Sequence, residues 1–269
     1  MTGSTEHALG PQHLAGCLAL SKAANWNQNE ADWRLMLGMG RGWGISLADG
    51  TLAASTLVLP YGKTFAWISM VLVLPAHRRK GFASRLLRVA LADLQSRALT
   101  AVLDATPAGR EVYRQEGFHD TWGFKRYVLD GAIERGPAVR RLREGDWPWI
   151  LQLDAHAFGG PREALLRALA GRLPDAALVI EGKGFVLGRE GREAHQVGPL
   201  IAVERSSAMS LLAAALAATP RPLYLDFVDH VPTPAGLVFQ RPFTRMVHGA
   251  APAPGDEKLV YLVAGPELG

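Results

Sequence analysis

The strongest constraint on the fold is a short unit in the first half of the chain: an apolar segment, a basic turn and an amphipathic helix. Residues 67–74 are nearly all apolar and stop at Pro75, which predicts a strand buried on both faces. Apolar residues then recur with helical spacing over residues 83–94, and a second apolar segment covers residues 99–104. Because a strand, a helix and a strand in this order form a right-handed crossover, we expect the two strands to be parallel.

The turn between the first strand and the helix, His77-Arg78-Arg79-Lys80-Gly81, has the composition of an anion-binding loop. A helix N-terminus after a glycine-containing turn presents several backbone N–H groups and the positive end of the helix dipole. Gly81 permits a close backbone approach, Ala83 keeps the next contact small, and the basic side chains attract phosphate. Taken alone, the pattern R-x-x-G-x-A is more typical of a charged, solvated turn.

The second half of the chain repeats this order of elements. Thr233-Pro234-Ala235-Gly236 repeats Thr106-Pro107-Ala108-Gly109, and each tetrapeptide follows a predicted strand that carries an aspartate, Asp226 or Asp104. In the first copy, threonine followed by proline is typical of an N-cap and the first position of a helix, which should end near Gly117. The matching order favours a tandem duplication.

Two domains are therefore expected, at residues 1–134 and 135–269, joined by a linker at residues 131–137, where glycine, proline and charge cluster. The second copy differs at Glu204-Arg205-Ser206-Ser207, which contains no glycine and places a carboxylate where a phosphate would lie. We predict that this second unit is a structural partner that helps to wall the acceptor pocket, and not a second active site.

Composition narrows the class of protein. With 48% hydrophobic and 20% charged residues, the chain can bury one large core or two modest ones. No apolar run has the length of a membrane span and the N-terminus has no signal pattern, so we expect a cytoplasmic protein without a membrane partner. The basic residues are interleaved with acidic ones and form no long run, so a local site for a phosphorylated cofactor explains the positive charge as well as nucleic-acid binding would, and we expect no nucleic-acid partner. The single cysteine, Cys17, excludes an internal disulfide, and we expect no metal site.

In this context, Arg78-Arg79-Lys80-Gly81-Phe82-Ala83 resembles the acetyl-CoA signature of the GCN5-related N-acetyltransferases (GNAT), (Q/R)-x-x-G-x-(G/A). Residues 112–118, Val-Tyr-Arg-Gln-Glu-Gly-Phe, look like the aromatic-xxx-Gly-Phe ending of that family, and the resemblance covers residues 11–130. The second half is more weakly similar to the C-terminal domain of two-domain bacterial members, with Gly198-Pro199-Leu200 and Arg245-Met246 as typical features.

The resemblance implies an α/β (α+β) fold made of two GNAT folds in tandem, the second degenerate. Each would contain a mixed, mostly antiparallel twisted sheet flanked by helices, with a parallel strand-helix-strand unit at the coenzyme A site. Tyr113 matches the family tyrosine that lies near the thioester sulfur and protonates the departing thiolate. The residues expected to hold acetyl-CoA, through backbone groups beside the pantetheine arm and around the pyrophosphate, are Leu72, Val73, Arg78, Arg79, Lys80, Gly81, Phe82, Ala83, Ser84 and Thr106.

The sequence does not identify a general base. Some family members carry a glutamate on the strand before the cofactor loop, but Trp67 stands at the matching position here. Asp104 and His119 are more typical of structural roles, and proton removal through ordered water is an alternative. Residues 26–29, Trp-Asn-Gln-Asn, lie where this fold usually shapes the acceptor pocket, which makes Trp26 a candidate substrate contact.

The leading functional hypothesis is transfer of an acetyl group from acetyl-CoA to a primary amine of a small molecule, by direct attack in a ternary complex. One alternative is a protein or peptide acceptor, which would require an open groove. Another is a non-catalytic acyl-CoA sensor or scaffold. The sequence leaves the acceptor and the choice between a monomer and a homodimer open.

Overall fold

The computed structural model describes residues 3–131 and 136–269, so the predicted domain boundary at residues 134–135 lies outside the described residues. The helices are α1 (Leu14–Ala23), α2 (Glu30–Met39), α3 (Phe82–Ser96), α4 (Pro107–Gln115), α5 (Trp147–Phe158), α6 (Glu163–Arg172) and α7 (Arg205–Ala218). The strands are β1 (Ser4–Ala8), β2 (Arg41–Leu47), β3 (Leu52–Tyr61), β4 (Phe65–Val73), β5 (Thr100–Ala105), β6 (Phe118–Leu129), β7 (Arg140–Arg141), β8 (Leu178–Ile180), β9 (Gly184–Arg189), β10 (His195–Ala202), β11 (Leu223–Val228), β12 (Val238–His248) and β13 (Val260–Leu262).

The predicted unit of strand, helix and parallel strand is confirmed as β4, α3 and β5. The two strands pair only at their beginnings, from Phe65 opposite Thr100 to Trp67 opposite Val102. Further along β4 the pairing with β3 shifts register, and Met70 has a left-handed φ of 51°. Such a bulge bends a strand away from its neighbour. The ends of β4 and β5 therefore separate, and a cleft opens between them.

A single 13-stranded sheet runs through both halves of the chain, and its strand order shows an exchange between them. β12, from the second half, lies between β5 and β6 of the first half, and β6 in turn pairs with β11 of the second half. The two units are thus a mixed, mostly antiparallel α/β structure, as predicted. The interlocking of their final strands was not predicted, and it fixes the two units relative to each other.

Two buried ion pairs mark this exchange. Arg245 on β12 donates to both carboxylate oxygens of Asp104 on β5, at 2.9 and 3.0 Å, and the two residues are direct neighbours across the strands. Arg126 on β6 donates to both oxygens of Asp226 on β11, at 2.8 and 2.6 Å, again from a directly opposite position. Each unit therefore supplies the arginine for the aspartate of the other, as expected for a duplicated pair of strands.

The second unit contains the same parallel pair in a closed form. β10 and β11 pair in parallel from His195 opposite Leu223 to Val197 opposite Leu225, with α7 between them in the chain. β13 then pairs with both strands, through Leu200 of β10 and Phe227 of β11. The space that is open between β4 and β5 is filled here by the chain itself.

The tetrapeptide repeat forms a helix in only one of its two positions. Thr106-Pro107 begins α4, as predicted, with the Thr106 hydroxyl accepting from the Gly109 N–H at 3.3 Å. Residues 233–236 form only a turn. Because β12 already begins at Val238, too few residues follow the second copy to complete helical turns.

Large apolar side chains fill most of the interior of both units, with Trp33 and Trp67 fully buried in the first and Phe185 in the second. Within the described part of the chain, every helix is too short or too polar to cross a lipid bilayer.

Candidate active site

The cleft between β4 and β5 continues into a groove of about 550 Å³ that reaches the start of α3. Its walls come from the end of β4, from one face of α3 and from the first turns of α4. Residues predicted to bind the cofactor lie along it, together with residues that sequence reasoning did not select. The predicted ones that line the groove are Leu72, Val73, Arg78, Ala83, Thr106 and Tyr113.

At the outer end of the groove, α3 begins with free backbone donors. Its N-cap is Gly81, with a left-handed φ of 80°, and no side chain caps the helix. Among the described residues, no group accepts from the N–H groups of Phe82, Ala83 and Ser84, and a Cβ on Gly81 would meet no atom within 4 Å. These amides face open space at the positive end of a 15-residue helix, which is the arrangement that binds phosphate.

Basic side chains surround this helix start without being neutralised. Arg78, Arg79 and Lys80 are exposed, and none of them forms an ion pair with a carboxylate in residues 3–131 or 136–269. The Arg78 guanidinium lies 3.4 Å from the Val73 carbonyl oxygen, and the Lys80 ammonium lies 3.4 Å from the His77 ring. The predicted loop is therefore a cationic patch, and its chemistry suits a diphosphate.

Phe82 and Ser84 contribute backbone rather than side chains to this loop. The Phe82 ring stacks on His77 with centroids 6.2 Å apart and packs against the small core cluster that contains Leu86. Neither side chain lines the groove. Their N–H groups remain available for an anion.

The strand geometry favours Val71 and Val73 as backbone partners for an extended ligand. The Leu74 N–H donates to the Ala53 carbonyl on β3, at 2.9 Å, and Leu72 pairs directly with Ser55 of the same strand. Since backbone groups alternate in direction along a strand, those of Leu72 face β3 and those of Val73 face the cleft. The prediction for Val73 agrees with this geometry. The second position whose backbone faces the cleft is Val71, and not Leu72 as predicted.

Tyr113 lies at the inner end of the groove, on α4. Its hydroxyl forms no hydrogen bond with any described residue, and its ring packs edge-on against Phe118 with centroids 5.9 Å apart. Burial raises the pKa of Tyr113 to about 12, so the phenol stays protonated at neutral pH. A protonated phenol with no internal partner is a hydrogen-bond donor held ready for a ligand.

Beyond Tyr113 the groove opens into a narrow inner pocket with a water-accessible volume of about 40 Å³. Trp26, Asn27 and Gln28, which precede α2, form one wall. The second unit holds this segment in place: the Asn27 side chain donates to the Ala194 carbonyl at 2.9 Å and accepts from the Ala194 N–H at 3.0 Å. Trp26 lines both the groove and the pocket, consistent with the predicted position of this segment.

The C-terminal tail of the second unit forms the opposite wall. The Trp67 indole donates to the Pro266 carbonyl at 3.0 Å, and the Ser69 hydroxyl donates to the Glu267 carbonyl at 2.8 Å. These two contacts dock the tail along β4 and carry the Glu267 side chain into the pocket lining. Sequence reasoning missed Glu267, because an isolated glutamate near the end of a chain has no pattern that marks it.

Several charged groups around the pocket are internally paired, and one is not. Both Asp104 oxygens accept from Arg245, whose guanidinium lies over the rings of Trp67 and Trp122, at 4.4 and 3.9 Å from their centroids. Arg241, at the junction of groove and pocket, has no carboxylate partner among the described residues. Desolvation lowers its pKa, and repulsion from Arg126 adds to this effect.

Two other residues considered from the sequence lie away from the chemistry. His119 is exposed on β6 and does not line the groove or the pocket. Cys17 is fully buried in the core, and burial raises the pKa of its thiol to about 12.

Comparisons with known proteins agree with this architecture. A family model described as "Acetyltransferase (GNAT) family" matches residues 15–118, and a model described as "Acetyltransferase (GNAT) domain" matches residues 150–262. No curated protein matches the sequence.

Among solved structures, a Pyrococcus horikoshii protein classed as an acetyltransferase is 20% identical, with a TM-score of 0.83 over 100% of this chain and 97% of the other. A GCN5-related N-acetyltransferase from Sphaerobacter thermophilus is 17% identical, with a TM-score of 0.63 over 93% of this chain and 97% of the other. A GCN5-related glucosamine N-acetyltransferase region of a fungal multi-domain β-N-acetylglucosaminidase is 11% identical, with a TM-score of 0.64 over 93% of this chain and 38% of that one. At these identities the likeness establishes the fold.

Proposed function

Since the chain is a tandem protein of the GCN5-related N-acetyltransferase superfamily, we propose that it transfers an acetyl group from acetyl-CoA to a primary amine of a small molecule. The observation that carries this proposal is the continuous path from the uncapped start of α3, along the open edge of β4, past Tyr113 and into the inner pocket. A phosphate site, an extended slot, a protonated donor and an acceptor cavity follow one another in the order that acetyl-CoA and an amine require.

The fit to acetyl-CoA rests on residues of the first unit. The backbone N–H groups from Arg79 to Ser84, with Arg78, would hold the pyrophosphate. The backbone groups of Val71 and the N–H group of Val73, which face the cleft, would pair with the pantetheine arm. The Thr106 side chain, at the mouth of the inner pocket, would contact the acyl end. When bound, acetyl-CoA supplies an activated thioester carbon that an amine can attack.

Tyr113 is the proposed catalytic acid. Its hydroxyl is protonated at neutral pH and has no partner among the described residues, so it can donate to a sulfur that gains negative charge. Direct attack by the amine, without an acyl-enzyme, is supported by the state of Cys17. This thiol is fully buried and has a raised pKa, which makes it a poor nucleophile.

A small acceptor is favoured over a protein or peptide because the inner pocket is narrow and closed on two sides. Residues 26–28 form one side and the tail of the second unit forms the other. An extended polypeptide would need an open groove on both sides of the reacting amine.

We further propose that the two units, residues 1–134 and 135–269, have different roles. The first contains the one cofactor site, and the second supplies a wall of the acceptor pocket.

The experiment that tests this function mixes purified protein, acetyl-CoA and a panel of small primary amines and follows the release of free thiol. Turnover that depends on both substrates supports the proposal. Acetylation of peptide lysines or N-termini at a higher kcat/KM than any small amine would favour the alternative acceptor. Tight coenzyme A binding in calorimetry without turnover on any acceptor would favour an acyl-CoA sensor.

A further inference from the structure

A glutamate from the second unit, Glu267, lines the inner pocket. We propose that Glu267, carried by the C-terminal tail of the second unit, binds the ammonium group of the acceptor and takes its proton before attack. This inference rests on the proposed function and deepens it, because it names the acceptor class as a cationic primary amine and identifies the general base.

Glu267 is buried, and only one of its two carboxylate oxygens has a hydrogen-bond partner among the described residues. The residue is 2% exposed and lines the inner pocket, and its Oε2 atom is buried without a hydrogen-bond partner among the described residues. The other oxygen, Oε1, is bonded by Arg189. An unpartnered buried carboxylate oxygen is destabilising unless a ligand supplies the missing donor. A protonated amine supplies three.

The charges behind Glu267 leave it only partly neutralised. Arg189 is shared between Glu267 and Asp32, and Arg172 is shared between Asp32 and Glu190. Three carboxylates are therefore balanced by two guanidinium groups. One negative charge in this cluster is uncompensated, and a cation that reached the unpaired Oε2 atom would neutralise it.

One further charge lies at this pocket: the Arg241 guanidinium at its mouth, which forms no ion pair with Glu267. The other charged and titratable groups that line the pocket or lie beside it form neutral pairs or are uncharged. The neutral pairs are Asp104 with Arg245 and Asp226 with Arg126, and the uncharged group is the Tyr61 phenol, whose pKa is raised by burial.

The tail with Glu267 docks beside the position on β4 where the sequence has no carboxylate. Trp67 stands where some members of the superfamily carry a glutamate, and its indole anchors the tail that carries Glu267. In the proposed step, one N–H bond of the ammonium group breaks, the proton passes to Oε2, and the electron pair stays on nitrogen for the attack. Glu267 then returns this proton to solvent when product leaves. A second proton leaves nitrogen as the amide forms, and it replaces the one that Tyr113 gives to the departing thiolate.

Two probes of nearly equal size separate this role from a structural one. Ethylamine is almost wholly protonated at neutral pH, whereas methoxyamine is uncharged and needs no base. We expect Glu267→Gln to lower kcat/KM for ethylamine by about 100-fold or more. The loss for methoxyamine should be much smaller, and the dissociation constant of coenzyme A in calorimetry should stay unchanged. Glu163→Gln is the matched control, since it removes a carboxylate that lies outside this cluster and outside the pocket and so keeps the charge count around Glu267.

Equal losses for the two probes would overturn the base role, and so would no loss for either. Circular dichroism and thermal melting of Glu267→Gln identify a loss that arises from misfolding. As a second measurement, ethylammonium should raise the melting temperature of the wild-type protein with coenzyme A present, and should not do so for Glu267→Gln. Wild-type protein that neither turns over nor binds ethylammonium would also refute the proposal, while retained coenzyme A binding would leave the cofactor site of the proposed function standing.

Discussion

The same pair of parallel strands ends differently in the two halves of the molecule. In the first unit, β4 and β5 separate after three residue pairs and leave an open cleft beside Tyr113. In the second unit, β10 and β11 also separate after three pairs, but β13 enters the gap and pairs with both. A diverging strand pair exposes backbone groups that need partners. The first unit leaves them for a ligand, and the second satisfies them with its own chain.

The helix that follows the first strand of each parallel pair also differs between the units: the start of α3 suits an anion better than the start of α7 does. Neither α3 nor α7 has a side-chain cap at its start, but α3 follows Gly81 whereas α7 follows Glu204. The Glu204 carboxylate accepts from Lys183 and Ser207, and the hydrogen bond from Lys183 is the main cause of its lowered pKa. This carboxylate makes no hydrogen bond to the α7 amides, but its negative charge beside the helix start opposes the binding of an anion there. The fold is thus retained in both units while the anion site is retained in one.

The largest expected effect comes from converting the first helix start into an acidic one. Gly81→Glu forces a side chain onto a residue with φ of 80° and adds a negative charge beside the unbonded amides. Calorimetry should show the dissociation constant of coenzyme A rising by about 1,000-fold, since phosphate contacts and the helix dipole are both opposed.

The matched control for this substitution is Gly50→Glu. Gly50 has φ of 84° and equally open surroundings, but it lies in the turn between β2 and β3. It should carry the same backbone strain and bind coenzyme A normally. If both variants lose binding equally, the loss at Gly81 reflects general destabilisation and not the anion site.

The next largest effect is expected at the two buried ion pairs that join the units. Asp104→Ala and Asp226→Ala each leave a buried arginine without its carboxylate, so each should lower the free energy of unfolding by about 3–5 kcal/mol. Urea denaturation followed by circular dichroism measures this loss, and the exposed helical pair of Arg34 and Glu30 serves as the control, with a far smaller loss for Glu30→Ala. A large effect at only one aspartate would show that the strand exchange stabilises one unit alone.

A smaller effect, confined to catalysis, is expected at Tyr113. Tyr113→Phe should lower kcat by about 100-fold, as expected for loss of a general acid, with coenzyme A affinity unchanged. The pKa of Tyr113 is raised to about 12, so the phenol is protonated below that pH and the ratio of wild-type to variant kcat should be constant between pH 6 and 9. Tyr127→Phe, outside the groove and the pocket, is the control. Equal kcat for Tyr113→Phe and wild type across this range would remove the acid role.

Local sequence patterns predicted the parts of the site that lie within one continuous stretch. The periodicity of residues 67–104 predicted β4, α3 and β5, and Thr106-Pro107 predicted the start of α4, because those signals depend on near neighbours in the chain. The turn at residues 233–236 escaped prediction because the same four residues need enough following chain to become a helix.

Contacts between the two halves could not be read from such patterns. The alternation of apolar residues in β12 indicates a strand but not which strands lie beside it, so its insertion between β5 and β6 was missed. Glu267 was missed for the same reason, since its place in the pocket depends on hydrogen bonds from Trp67 and Ser69, about 200 residues earlier in the chain. Long-range docking of this kind is specified by packing as a whole.

The smallest expected effect distinguishes the two features that set the second unit apart: the acidic start of α7 and the strand β13 between β10 and β11. Calorimetry of the wild-type protein should find one coenzyme A site per chain. Glu204→Gly restores a glycine and removes the carboxylate at the start of α7, yet it leaves β13 between β10 and β11. We therefore expect the variant to bind one coenzyme A as well, because the second cleft has no free strand edge for a pantetheine arm. Two sites of equal affinity in the wild-type protein would refute the comparison, and a second site that appears only in Glu204→Gly would show that the helix start, and not the inserted strand, abolished binding.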